Sequence, residues 1–191
     1  MKAKMLLVAM GVVFAGSAMA AGPYQDSTDI HFSGEVQTNL CAVDVTGGST
    51  VTLDPTDVGQ VSNQSGTTPV AQKAFTVVVD CSAQGQTITD NALSTMTGYL
   101  TAAAGTEVDA ATTSLKNTDA SGAQNVGLGV LSTDNGNKLQ TFTSADKYAQ
   151  ALTASDNKYN FNYKVGYMKL AGGGVTAGAV AADTTFIVDY Q

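Results

Sequence analysis

Tyr159-Asn160-Phe161-Asn162-Tyr163-Lys164-Val165-Gly166-Tyr167 carries an aromatic or aliphatic side chain at every odd position, and only Asn, Lys or Gly between them. A period of two places all the odd side chains on one face of an extended chain, so this stretch predicts a β-strand with one buried face. Phe75-Thr76-Val77-Val78-Val79-Asp80-Cys81 repeats the pattern and sets Cys81 on the same face as Phe75, Val77 and Val79. Val126-Gly127-Leu128-Gly129-Val130 alternates apolar residues with Gly and runs on to Asp134-Asn135-Gly136-Asn137. Asn-Gly there predicts a type I′ hairpin turn, which needs positive φ at both central residues. Residues 41–45, 50–53, 96–100 and 185–190 read as further strands, and the Ala-rich stretch 102–113 leaves room for a short helical turn. Short strands punctuated by Gly, Asn, Asp and Ser/Thr, with no repeat and no linker, predict one all-β domain, an antiparallel sandwich or barrel.

Composition narrows the function. The chain has 191 residues, a formal charge of −7, one His and two Cys, and all nine basic residues are Lys. An acidic chain without Arg is unsuited to nucleic acid, whose binding requires a basic surface that displaces counterions. One His and two Cys are too few for a zinc site of three or four N/S ligands. With 43% hydrophobic residues the chain can build a core and is not of the disordered class.

The amino end reads as a targeting segment. Lys2 and Lys4 precede an apolar run from Met5 to Ala15, and Ala18-Met19-Ala20 supplies a small-x-small cleavage site. That is the pattern of a signal peptide over residues 1–20, and the apolar run is shorter than the ~20 residues that span a bilayer. Nothing downstream repeats it, so the protein is expected to be exported and not membrane-embedded. In an oxidising compartment Cys41 and Cys81 are then expected to form a disulfide; a catalytic Cys would need a base, and the only His is His31.

Motifs for chemistry are missing. Gly172-Gly173-Gly174 has no Lys-Ser/Thr after it and reads as a turn. Asp134-Asn135-Gly136-Asn137 lacks the acidic spacing and closing Glu of a calcium loop. Asn63-Gln64-Ser65 matches the glycosylation pattern, which occurs often by chance. A Ser–His–Asp arrangement would depend on His31, in the amino-terminal segment. No enzymatic activity, cofactor or metal is expected.

The two ends carry the rest. Ile30-His31-Phe32-Ser33-Gly34-Glu35-Val36-Gln37-Thr38-Asn39-Leu40 is the strictest alternation in the chain: Ile30, Phe32, Gly34, Val36, Thr38 and Leu40 on one face, polar side chains on the other. It reads as the first strand of a sandwich, except that a mid-strand Gly marks close backbone approach or a weak point. At the other end Thr185-Phe186-Ile187-Val188-Asp189-Tyr190-Gln191 is an alternating strand with which the sequence stops.

With these residues in order, the chain resembles chaperone–usher pilins, and is most similar to type 1 fimbrial major subunits. The resemblance is carried by residues 30–36 running to Cys41-Ala42-Val43-Asp44, by Val79-Asp80-Cys81, by Asn125-Val126-Gly127, by the carboxy-terminal stretch 182–191, and by Gly178. It implies an incomplete immunoglobulin-like β-sandwich lacking its last strand, with an apolar groove between two unpaired edges. Residues 1–20 would be the signal peptide, 21–40 a donor-strand extension and 41–191 the pilin domain.

In the periplasm a chaperone strand would fill the groove; in the fibre the extension of the next subunit would replace it, each adding a strand to the open sheet edges. Phe32, Gly34, Val36, Thr38 and Leu40 would fill five successive pockets. On the acceptor side the resemblance implies a chaperone-binding carboxy-terminal strand that includes Gly178, Phe186, Val188, Tyr190 and Gln191, with Phe186, Val188 and Tyr190 facing the lent strand and the carboxylate of Gln191 meeting basic residues of the chaperone. Expected partners are identical or related pilins, a periplasmic chaperone and an outer-membrane usher, and the expected location is a fimbria on a Gram-negative surface. A minor adaptor, or a carbohydrate-binding adhesin subunit at the fimbrial tip, is the alternative role.

Overall fold

The structure, a computed structural model, describes residues 41–82, 94–153 and 157–191. Among the described residues ten strands are formed: β1 (Ala42–Val45), β2 (Val70–Asp80), β3 (Thr95–Ala102), β4 (Val108–Asp109), β5 (Ser114–Lys116), β6 (Val126–Ser132), β7 (Lys138–Leu139), β8 (Tyr148–Ala151), β9 (Lys158–Lys169) and β10 (Thr184–Tyr190). A helical turn, α1 (Val58–Ser62), is capped by Asp57, whose carboxylate accepts from Gly59 N at 2.7 Å, and a short 3-10 turn occupies Ser144–Asp146.

Seven strands make one sheet in the order β1-β2-β9-β6-β5-β4, with β7 also on β6; β10-β3-β8 make a second. Every pairing is antiparallel. The inner faces meet in a common core that includes Val77 and Val79 of β2, Met96 and Leu100 of β3, and Tyr159, Phe161, Tyr163 and Val165 of β9. These are the alternate positions of the sequence patterns, and burying each such side chain stabilises the fold by about 1.5–3 kcal/mol. The incomplete immunoglobulin-like sandwich expected from the sequence is the fold observed. Among the described residues no helix is long and apolar enough to cross a membrane.

Three local expectations change. The stretch 50–53 belongs to no strand; Val51 and Leu53 are half-buried against the core without a backbone ladder. Its alternation records side-chain burial, not pairing. The Ala-rich stretch 102–113 forms no helix, because the Asp109 carboxylate accepts from Ala111 N (3.1 Å) and Thr112 N (2.9 Å) and bends the chain between β4 and β5. The hairpin after β6 does turn through two positive-φ residues, but they are Gly136 (64°) and Asn137 (59°), with Lys138 N donating to Asn135 O at 3.1 Å. Asp134 is held on β9, accepting from Asn162 N (2.7 Å) and Nδ2 (3.0 Å), and this moves the turn one residue on.

Candidate functional site

The two sheets do not close on each other along one side. Among the described residues β1 pairs only with β2, and β10 only with β3, so each presents an edge that no described strand pairs. Val43 and Val45 lie opposite Val79 and Val77, and residues directly opposite share a face. They therefore point into the sandwich. Yet Val43 is 49% exposed, the one large apolar side chain so exposed among the described residues. An inward-facing valine in water marks a missing neighbour, not a surface position.

On the facing sheet, Phe186, Val188 and Tyr190 lie opposite Leu100, Gly98 and Met96 and pack on the core from the edge, each only partly buried. Phe186 sits with its ring centroid 5.0 Å from that of Phe161 and 6.4 Å from that of Tyr163. Between the edges lies an apolar trough of about 240 Å3 with Val45, Val51, Leu53, Phe75, Leu115 and Phe186 among its lining. A second depression of about 270 Å3 shares Leu53 and adds Val58, Val61, Val126, Val175 and Val180. Two free backbone edges flanking an apolar trough can do one thing well: accept an extended segment that supplies both hydrogen bonds and alternate apolar side chains.

One end of the trough is tied. Cys41 and Cys81 form a disulfide (S–S 2.05 Å), as the sequence led us to expect. Burial raises the pKa of the Tyr190 hydroxyl on β10, and the nearby Cys41 backbone amide acts against that rise. Gln191 extends the ladder: its N donates to Thr95 O (2.9 Å), and its backbone oxygen accepts from Ser94 N (2.8 Å) and Thr95 N (2.9 Å). Gly178, expected within the carboxy-terminal strand, instead lies ahead of β10 and outside any strand, where its φ of 153° departs from an ordinary extended ladder. Ile30, Phe32, Gly34, Val36, Thr38, Leu40 and His31 lie outside the described residues, as do residues 1–40 as a whole.

A polar clamp on the outer face had no sequence signal. Lys147 Nζ, one residue ahead of β8, is 2.5 Å from Asp189 Oδ2 on β10 and 5.4 Å from the centroid of the Tyr99 ring on β3. The Asp189 carboxylate raises the pKa of Lys147. One ammonium thus ties β10 to β3 from the approach to β8 and steadies β10, whose other edge no described strand pairs. Its partners are brought together only by strand order.

The fimbrial-protein family model matches residues 30–191. The chain is also 33% identical over 181 residues to the type-1 fimbrial protein, A chain, of Escherichia coli K12, covering 92% of this chain and 90% of that one. This chain belongs to the fimbrial protein family. The resemblance read from its sequence is thereby borne out, and the family is one of structural subunits. Among solved structures, a chaperone–usher pilus aligns with a TM-score of 0.53 at 18% identity, over 90% of the fimbrial chain and 100% of the other. A Burkholderia pseudomallei antigen and type I fimbria protein aligns at TM-score 0.51 and 19% identity, over 80% and 95%. At such identity these two speak to the fold, and they agree with the sandwich described above.

Proposed function

We propose that this fimbrial protein is a shaft subunit, exported through the periplasm and polymerised head to tail by donor-strand exchange on the surface of a Gram-negative bacterium. The observation that carries the reading is the half-exposed, inward-facing Val43 on β1, two residues before Val45 in the lining of an apolar trough, with β1 and β10 each left without a second partner among the described residues. Residues 21–40 are the donor: Phe32, Val36 and Leu40 would each contribute about 2 kcal/mol on burial, with backbone pairing in addition. Gly34 leaves space where a larger side chain would obstruct stepwise displacement of a strand already seated. A periplasmic chaperone would occupy the trough before assembly and an outer-membrane usher would receive the subunit. Phe186, Val188, Tyr190 and Gln191 would meet the chaperone, and Gly178 belongs to the approach to that strand.

The test is a chain lacking residues 21–40, expressed with the intact assembly route. It should be recovered as a groove-filled subunit and add nothing to a fibre; a truncated chain that still polymerises refutes the proposal. Immunogold labelling along isolated fibres separates the shaft role from an adaptor or adhesin at the tip: label along the whole length supports the shaft, label confined to the end refutes it.

A further inference from the structure

The stretch 175–183 leads into β10 and contributes lining to both depressions, yet it belongs to no strand. Asn117, just past β5, fixes it instead. Its Nδ2 donates to Ala179 O (2.9 Å) and Ala123 O (3.0 Å), while its Oδ1 accepts from Ala181 N (2.9 Å) and Asp119 N (3.1 Å). That uses both donors and both lone pairs, the full capacity of a side-chain amide.

Neighbouring bonds repeat the linkage. Ala123 N donates to Ala179 O at 2.9 Å, and Thr118 donates to Ala181 O from both its N (2.8 Å) and its hydroxyl (3.0 Å). The two segments cross so closely that a Cβ on Gly122 would lie 2.1 Å from Ala179 O, and one on Gly178 2.4 Å from Ala123 N. Both crossing points therefore require glycine. Here is a physical reason for Gly178 that its place in the sequence did not supply.

We propose that Asn117 is a positioning residue for donor-strand uptake: its amide holds residues 179–181 in place, so that this bank of the groove is formed before a strand arrives. The inference rests on the reading of the groove as a strand acceptor. When the bank is ordered during folding, the incoming strand does not bear the cost of ordering it, and affinity rises accordingly. A residue that merely supported overall stability would affect uptake only in proportion to the stability lost.

The experiment uses the full chain and a fluorescent synthetic peptide of residues 21–40. Asn117→Ala removes all four bonds. Asn117→Asp keeps the two acceptors but sets oxygen against the carbonyls of Ala123 and Ala179. Leu139→Ala is the control, because Leu139 lies by Gly129 among the residues on the side of β6 away from the core. Both Asn117 variants should take up peptide about ten-fold or more slowly, while the control stays within about two-fold of the parent when thermal midpoints are matched. Amide exchange should quicken at Ala123 and Ala181 and stay unchanged in β9.

Equal effects of Asn117 and Leu139 variants at matched midpoint, or unaltered exchange at Ala123 and Ala181, would overturn the proposal. If the Ala variant does not fold, the Asp variant and its exchange pattern decide. A parent chain that takes up no peptide overturns the strand-acceptor reading, and this role with it. Parent uptake with unimpaired Asn117 variants overturns the role of Asn117 alone.

Discussion

Truncating Phe186 to alanine measures how open the groove is. For a fully buried ring, Phe→Ala costs about 3–5 kcal/mol, part of it from the sealed cavity left behind. Phe186 is only partly buried, and it lines a trough of about 240 Å3 that is already open along one side. Its removal widens an existing space instead of creating a void, so the cavity contribution drops out. What remains is the transfer of a half-buried ring, about 1.5 kcal/mol, and its contacts with Phe161 and Tyr163, about 0.5–1.5 kcal/mol together once shared geometry is discounted. The expected loss is about 2–3 kcal/mol, or roughly 5–10 °C in Tm for a domain of this size. Phe161, 1% exposed, is the internal standard: Phe161→Ala should cost about 4 kcal/mol. Urea unfolding of both variants, with m-values compared to confirm an unchanged mechanism, gives the answer. If Phe186→Ala costs as much as Phe161→Ala, the trough is a closed core and the reasoning fails.

Two further outcomes follow from the same structure. Replacing Cys41 and Cys81 with serine opens a cross-link between residues 40 apart in sequence, which should lower stability by about 4 kcal/mol on the chain-entropy account; urea midpoints of the Ser pair that match the disulfide form would contradict it. The Asp80 carboxyl is held down at about 2, from an ordinary 3.8, chiefly by the Lys158 ammonium at 2.8 Å and by the Ser82 hydroxyl and amide. A depressed carboxylate contributes stability above its unfolded pKa and loses it as pH falls through the folded value, so that urea midpoints should drop between about pH 4 and pH 2. Asp80→Asn should flatten that drop, and an unchanged profile would show that the pairing does not matter to folding.

The sequence made the sandwich readable wherever burial is one-sided. Tyr159, Phe161, Tyr163 and Val165 are buried as their alternation implies, because a strand with one wet face must repeat every two residues. The rule lapses at the end of β9, where Met168 on the other face is 1% exposed. There Gly129 and Gly166 are directly opposite each other, and a Cβ on either would meet Pro69, so a local second layer covers the outer face. Periodicity cannot register a strand covered on both sides. The edge strand β10 was legible from its own alternation, but that its neighbour is missing was legible only through the family resemblance. The Asn117 amide and the Lys147–Asp189 pair were not legible at all. Each joins segments far apart in sequence, and only the strand order brings them within reach.

That strand order also governs when the molecule can fold. β9 lies between β2 and β6, although the chain makes it after both. Thr76 and Asn162, hydrogen-bonded across the β2–β9 pair, are 86 positions apart. A loop of that length must close before the larger sheet can exist, and contacts so distant form slowly. No earlier strand can stand in. A chain emerging amino end first, as every chain leaves the ribosome, therefore spends the interval with β2 and β6 unjoined and their apolar faces in water. Until residues 158–169 arrive, β2 and β6 have nothing to join them, and the trough between the sheets has not yet formed.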